Sequence, residues 1–73
     1  MNKEELLRIA FDFVKSTSLA KVIEASEIFT DFNPWENVWC VSIECKLESY
    51  AYGTQTWYEE WQVNINQDGT IKQ

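Results

Sequence analysis

The feature that most constrains this chain is an alternation of apolar and polar side chains that occurs twice in its second half. From Val38 to Leu47 the odd positions are apolar and the even positions after Val38 are mostly polar, and the same parity returns from Trp57 to Ile65. Side chains along a strand point alternately to the two faces of a sheet. The pattern therefore predicts two half-buried antiparallel strands with their core face at odd positions. The segment Ser49–Thr54, which contains Gly53, is their predicted hairpin connection.

A different periodicity marks the N-terminal part of the chain. Apolar residues three and four apart predict an amphipathic helix from residue 3 to about residue 17. Asn2 is the predicted N-cap, and Glu5 three places later completes a pattern like a capping box. Ser16-Thr17-Ser18 is expected to end the helix, because hydroxyl side chains compete for backbone hydrogen bonds. The predicted buried stripe consists of Leu6, Leu7, Ala10, Phe11, Phe13 and Val14.

Residues 21 to 32 predict a further strand, but an irregular one. Its apolar residues change parity near Ser26-Glu27, and a β-bulge or sharp bend there would turn both apolar sets toward the core. The alternative is that Ala20 to Ser26 forms a second helical turn. The two apolar sets are Ile23 with Ala25, and Ile28 with Phe32.

Turn residues delimit these strands. Asn33-Pro34 ends the first strand, since proline lacks a backbone N–H and restricts the residue before it. Asp68-Gly69 predicts a tight hairpin turn, after which Thr70-Ile71-Lys72 would add a short fourth strand. Together these elements predict one α+β domain over residues 1–73. Its N-terminal helix would pack on a curled antiparallel sheet of three to four strands, in the order α-β-β-β-β.

This element order resembles the cystatin-like fold and the small PepSY-type and peptidase-propeptide-type domains. The closing run from Val63 to Ile71 is similar to their terminal strand, turn and strand. The resemblance implies a helix lying across a curled sheet. Cystatin inhibitors of cysteine proteases carry a Gln-x-Val-x-Gly hairpin loop, whereas the corresponding connection here is Ser-Tyr-Ala-Tyr-Gly-Thr at 49–54. Protease inhibition is therefore not implied for this chain.

The net charge of the chain restricts the classes of molecule that it is expected to bind. Twelve acidic and six basic side chains give a net charge of −6, which disfavours direct contact with nucleic acid or with anionic lipid. A protein partner with basic character is expected instead. The N-terminus lacks the basic and apolar regions of a signal peptide, and no run of about 18 apolar residues occurs. A cytoplasmic protein that neither spans nor binds a membrane is therefore expected.

No arrangement of residues that would support catalysis is evident in the sequence. The chain has no histidine, and its two cysteines, Cys40 and Cys45, fall on opposite faces of the predicted strand. They are expected to be free thiols, with Cys45 in the core and Cys40 on the outer face. Phosphate-binding glycine loops and a nucleophile elbow are absent from the sequence. The expectation is a non-enzymatic protein without a cofactor.

Exposed aromatic residues are the candidate contacts of a binding surface. Trp35, Tyr50, Tyr52 and Tyr58 fall in predicted loops or at outer-face positions, where they would either anchor a partner or pack over the rim of the core. They predict a small acidic binding or regulatory module, of the inhibitor, immunity or anti-defence type. A further alternative is that the protein forms a homodimer through an exposed edge strand.

Glu59 is the one odd position that breaks the alternation of the last long strand, and it lies between Trp57 and Trp61. A bulge or a place at the sheet rim would let its carboxylate reach water. The alternative is a carboxylate in an aromatic-lined cleft, which would make the protein a small-ligand-binding domain with a pocket between helix and sheet.

Overall fold

The described part of the chain folds into one N-terminal helix and one three-stranded antiparallel sheet, which confirms the predicted α+β class. The computed structural model describes residues 1–51 and 53–72. The elements are α1 (Lys3–Thr17), β1 (Lys21–Asn33), β2 (Val38–Ser49) and β3 (Gln55–Asn66). The sheet order is β1-β2-β3, so β2 is the central strand and β1 and β3 are both edges.

Helix α1 has the predicted bounds and N-cap. The Asn2 side-chain oxygen accepts a hydrogen bond of 2.9 Å from the backbone N–H of Glu5, which satisfies one of the free donors of the first turn. At the other end the Ser18 N–H donates to the Val14 carbonyl at 2.8 Å. The fully buried helix residues are Leu6, Ala10 and Val14, spaced one turn apart; Leu7, Phe11 and Phe13 are half-buried beside them.

The pairing of β2 with β3 determines the two faces of the sheet. Their register is continuous from Val38 opposite Asn66 to Ser49 opposite Gln55, without a bulge. One face, here called the helix face, packs against α1 and forms the core with Val41, Ile43, Cys45, Leu47, Val63 and Ile65. The predicted odd-position core of both strands is confirmed. The opposite side is here called the open face, because neither α1 nor any other helix or strand of the described chain lies on it.

Strand β1 is irregular, as predicted, but it contains two bulges instead of one. Its register with β2 shifts between Val22 and Glu24 and again between Glu27 and Phe29. Ile23 and Ile28 are the extra residues at these shifts, and they are 36% and 47% exposed. The expectation that both isoleucines face the core is therefore wrong. The alternative of a helical turn over Ala20–Ser26 is also wrong, because β1 begins at Lys21.

The predicted fourth strand does not form in the described chain. Asp68-Gly69 makes the expected turn, with Gly69 at a φ of +89° that favours glycine. The turn is tight, since Asn66 N–H donates to the Thr70 carbonyl at 2.8 Å. After it, Ile71 makes only an isolated bridge to Ile65. A single bridge is not a ladder, so the described sheet has three strands.

An ion pair joins the start of the helix to the middle of β1. Lys3 Nζ lies 2.7 Å from a Glu27 carboxylate oxygen, and the Thr30 hydroxyl donates to the other oxygen at 2.6 Å. These two hydrogen bonds hold the pKa of the Glu27 carboxyl below its usual value. A carboxyl whose pKa is lowered by folding stabilises the protein above its unfolded-state pKa, and that contribution is lost as the pH falls through the folded-state value.

We therefore expect Glu27→Gln to lower the free energy of unfolding near neutral pH and to have little effect in acid, below the folded-state pKa of Glu27. Urea denaturation of both proteins across that range measures the difference. The hydroxyl and backbone N–H of Thr70 lower the pKa of Asp68 as well. Asp68 is the same in both proteins, so its contribution does not affect the difference between them. A difference that is constant with pH would assign the effect to lost packing instead of charge.

Candidate functional site

The described candidate residues are all exposed, but they do not form one cluster. Trp35 lies in the turn between β1 and β2 and is 94% exposed; Tyr50 follows β2 and is 63% exposed. Tyr58 is on the open face of β3, whereas Glu59 is on the helix face. Tyr52 lies outside the described residues. Trp35 precedes the twelve-residue strand β2 and Tyr50 follows it, so the two residues are about 40 Å apart. This distance is close to the long dimension of the molecule, 44 Å. One partner therefore contacts all of them only if it covers the whole length of the sheet.

The open face carries a dense set of carboxylates. On this face Glu44 of β2 lies directly opposite Glu60 of β3, and both residues are exposed. Like charges opposite each other on neighbouring strands destabilise a sheet. Other open-face positions by register are Glu24, Asp31 and Glu48, with Lys21 and Lys46 as the cations. This face therefore has an excess of negative charge.

Ser42 lies at the centre of the open face and is nevertheless only 1% exposed. Its hydroxyl donates a 2.9 Å hydrogen bond to a Glu60 carboxylate oxygen, so the buried hydroxyl is satisfied and that carboxylate is held in place. Sequence parity predicted an outer-face position for Ser42 but not its burial, since burial depends on the side chains of the neighbouring strands. Phe29 is its partner on β1.

A groove of about 360 Å³ lies at the β1–β2 turn end of the open face. Trp35 and the half-exposed Phe29 contribute aromatic walls; Cys40 lies between them in the register, and Gln62 is level with Phe29. The sequence pattern indicated Trp35 but not Phe29, because the open-face position of Phe29 depends on the bulge that precedes it. The lining residues are Phe29, Asp31, Phe32, Asn33, Pro34, Trp35, Cys40 and Gln62.

The other end of the open face has two tyrosines beside charged groups. Lys46 Nζ lies 5.9 Å from the centre of the Tyr58 ring, within the range of a cation–π contact. Near the end of β2, hydrogen bonding to the Glu48 carboxylate raises the pKa of the Tyr50 phenol. Both tyrosines stay more than half exposed while they make these contacts.

Glu59 lies on the helix face, and both neighbouring tryptophans donate to it. The Trp57 indole N–H donates to one carboxylate oxygen at 2.9 Å and the Trp61 indole N–H donates to the other at 3.1 Å. Because the three residues alternate along one unbulged strand, their side chains share a face. Glu59 is exposed at this position, without a bulge. Its carboxylate reaches water while two indoles fix its orientation.

A cleft of about 290 Å³ opens beside this carboxylate at the C-terminal end of α1. Leu19, whose side chain is fully exposed, and the half-buried rings of Trp57 and Trp61 supply apolar walls, whereas Leu47, which also lines the cleft, is only 1% exposed. The lining residues are Thr17, Ser18, Leu19, Ala20, Leu47, Trp57, Glu59 and Trp61. On the same face Cys45 is opposite Glu59; burial, and secondarily the Glu59 charge, raise the pKa of its thiol.

The described residues bring together no group of three or more histidine, cysteine or acidic side chains that would hold a metal ion. Cys40 and Cys45 are both free thiols, as predicted, with Cys45 buried and Cys40 half-buried. No helix in the described chain is long and apolar enough to cross a membrane.

Comparisons with protein-family models, with curated proteins and with solved structures found no match for this chain. The resemblance to cystatin-like and PepSY-type domains stays a prediction from the sequence pattern.

Proposed function

We propose that this chain is a non-catalytic protein-binding module, of the inhibitor, immunity or anti-defence type, that binds a basic partner through the open face of its sheet. The observation that carries the proposal is the exposed pair Glu44 and Glu60, which oppose each other across two strands. This arrangement disfavours the free protein, and a cationic group bound between the two carboxylates would relieve the repulsion. Features that break a local rule of stability are expected at functional sites.

The size and composition of the open face also suit a protein partner. Three strands about 4.8 Å apart and about 40 Å long give an area of roughly 600 Å², most of the approximately 800 Å² that each partner contributes to a standard interface. Aromatic anchors with a surrounding polar rim are typical of such interfaces. Here the groove at Trp35 and Phe29 supplies an apolar anchor site beside the acidic middle. The partner therefore carries apolar residues next to arginine or lysine.

The test is the double variant Glu44→Gln with Glu60→Gln. We expect its free energy of unfolding to equal or exceed that of the wild type, because the like-charge opposition is removed while the new amide oxygen at position 60 can still accept from Ser42. Binding of an arginine-rich peptide with interspersed leucines is expected to weaken about tenfold or more, since each charge-assisted hydrogen bond contributes roughly 1.5–3 kcal/mol. Amide chemical shifts of the wild type on titration locate the peptide.

The matched control is Glu4→Gln with Asp12→Asn, which makes the same change in net charge on exposed positions of α1. It should bind the peptide almost as well as the wild type. If both double variants bind the peptide equally weakly, the loss comes from net charge and not from the open face, which contradicts the proposal. Unchanged binding in the open-face variant would contradict it as well. Shifts that appear on α1 instead of the open face would also overturn it.

A further inference from the structure

The helix face carries a second candidate site, which is independent of the proposed function because it is on the opposite side of the sheet. Its centre is the Glu59 carboxylate, whose two oxygens each accept one indole N–H. Each carboxylate oxygen has further acceptor capacity after one such bond. No described residue forms an ion pair with Glu59. The carboxylate is therefore an oriented negative charge without a counter-ion among the described side chains.

The surroundings of Glu59 favour a cation further. The C-terminal end of α1 contributes Thr17 and Ser18 to the cleft, and the C-terminus of a helix carries a partial negative charge because its last carbonyls lack helical partners. The Glu59 charge acts within this face, since it contributes to raising the pKa of the Cys45 thiol. An anionic ligand is thus disfavoured here, and a cation is favoured.

Apolar walls determine which cation fits. Leu19 and Leu47 line the cleft together with the two tryptophans, so a bare metal ion would leave most of the lining without a contact. Leu19 protrudes fully into solvent just after the helix, where covering it would remove apolar surface from water. A volume of about 290 Å³ lies at the lower limit of small-molecule sites, so the ligand is small.

We propose that the cleft formed by Leu19, Leu47, Trp57, Glu59 and Trp61 binds a small organic ammonium ion that carries an apolar group. The ammonium group donates hydrogen bonds to the Glu59 carboxylate, and the apolar group packs against Leu19 and the two half-buried indole rings. The indole N–H donors hold the carboxylate ready before the ligand arrives, which reduces the ordering that binding requires. No covalent step is involved.

The experiment is an NMR titration with hexylammonium as the probe and hexanol as its neutral counterpart. Hexylammonium is expected to shift the indole N–H signals of Trp57 and Trp61 saturably, and to leave that of Trp35 at the far end of the sheet unchanged. Hexanol should bind about tenfold more weakly or worse, as expected from the loss of a charged hydrogen bond. Equal binding of hexanol, or equal shifts at Trp35, would overturn the proposal.

Two variants separate the role of Glu59 from a structural effect. Glu59→Gln should weaken hexylammonium binding about tenfold or more, whereas Glu4→Gln, with the same charge change in the first turn of α1, at the helix end opposite the cleft, should leave it unchanged. Leu19→Ser alters a fully exposed residue that stability does not require, and it should weaken hexylammonium but not methylammonium. Unchanged hexylammonium binding in Glu59→Gln, or equal losses in Glu59→Gln and Glu4→Gln, would contradict the assignment.

Discussion

Replacing Ile43 by alanine is expected to destabilise this protein by about 2–5 kcal/mol, as for other large-to-small substitutions in a core. Ile43 lies on the central strand, is 0% exposed, and pairs with Glu27 on β1 and Trp61 on β3. A domain of this length is expected to have only roughly 3–5 kcal/mol of stability, because small domains bury a low fraction of their surface. The variant should therefore lose a large part of the stability of the protein and unfold at a much lower urea concentration. Circular dichroism during urea denaturation measures the loss.

The same chemical change at Ile28 is the matched control. Ile28 is the extra residue of the second β1 bulge and is 47% exposed, so deleting its side chain leaves no cavity in the core. We expect Ile28→Ala to cost less than about 1 kcal/mol, within the range of surface substitutions. If the two variants lose similar stability, either Ile28 contributes to the core or the assignment of the bulge is wrong.

The contrast between these two isoleucines shows where the periodicity of apolar residues predicts burial and where it does not. Both occur in runs of strand-forming residues, and only Ile43 belongs to an unbroken alternation. On β2 and β3 the alternation alone determined the buried face, because the register between them is continuous. On β1 each bulge reverses the relation between parity and face. The position of a bulge depends on the partner strand and on the packing of α1, neither of which local sequence contains.

The C-terminal segment shows a similar division between local and non-local information. Asp68-Gly69 predicted a turn, and the positive φ of Gly69 is a local requirement that the sequence satisfies. A fourth strand requires more than a turn, since a ladder needs successive backbone pairs with β3. Only the bridge from Ile71 to Ile65 forms in the described chain. Turn chemistry thus predicted the reversal of the chain but not the length of the pairing.

For the candidate sites, exposure was predictable and grouping was not. Trp35, Tyr50 and Tyr58 are exposed as their loop and outer-face positions suggested. Their separation along the sheet, and the opposition of Glu44 to Glu60, follow from the register, which the sequence does not state. The grouping of Glu59 with Trp57 and Trp61 on one face could be predicted from the sequence, because residues two apart on an unbulged strand share a face. The indole hydrogen bonds to its carboxylate required the structure.

The second large expected effect is that of Ala10→Leu, at the centre of the buried stripe of α1. Ala10 is 0% exposed and lies one turn from each of Leu6 and Val14, which are also buried. A methyl side chain at this central position lets the helix backbone approach the sheet closely. Leucine would need room that a packed core lacks, so the helix must shift or the side chain must adopt a strained rotamer, at a cost of about 1–3 kcal/mol.

Arg8→Leu makes the corresponding control, since Arg8 is exposed on the same helix and leucine and arginine have similar helix propensities. We expect it to change the free energy of unfolding by less than about 0.5 kcal/mol. Urea denaturation measures both variants, and hydrogen exchange of the α1 amides tells whether the Ala10→Leu protein loosens the helix or unfolds as a whole. Faster exchange confined to α1 would mean that the sheet retains its structure without the helix, and that only the helix contact depends on Ala10. Because α1 is the one element of the described chain that covers the helix face, we expect the sheet amides to lose protection together with those of α1.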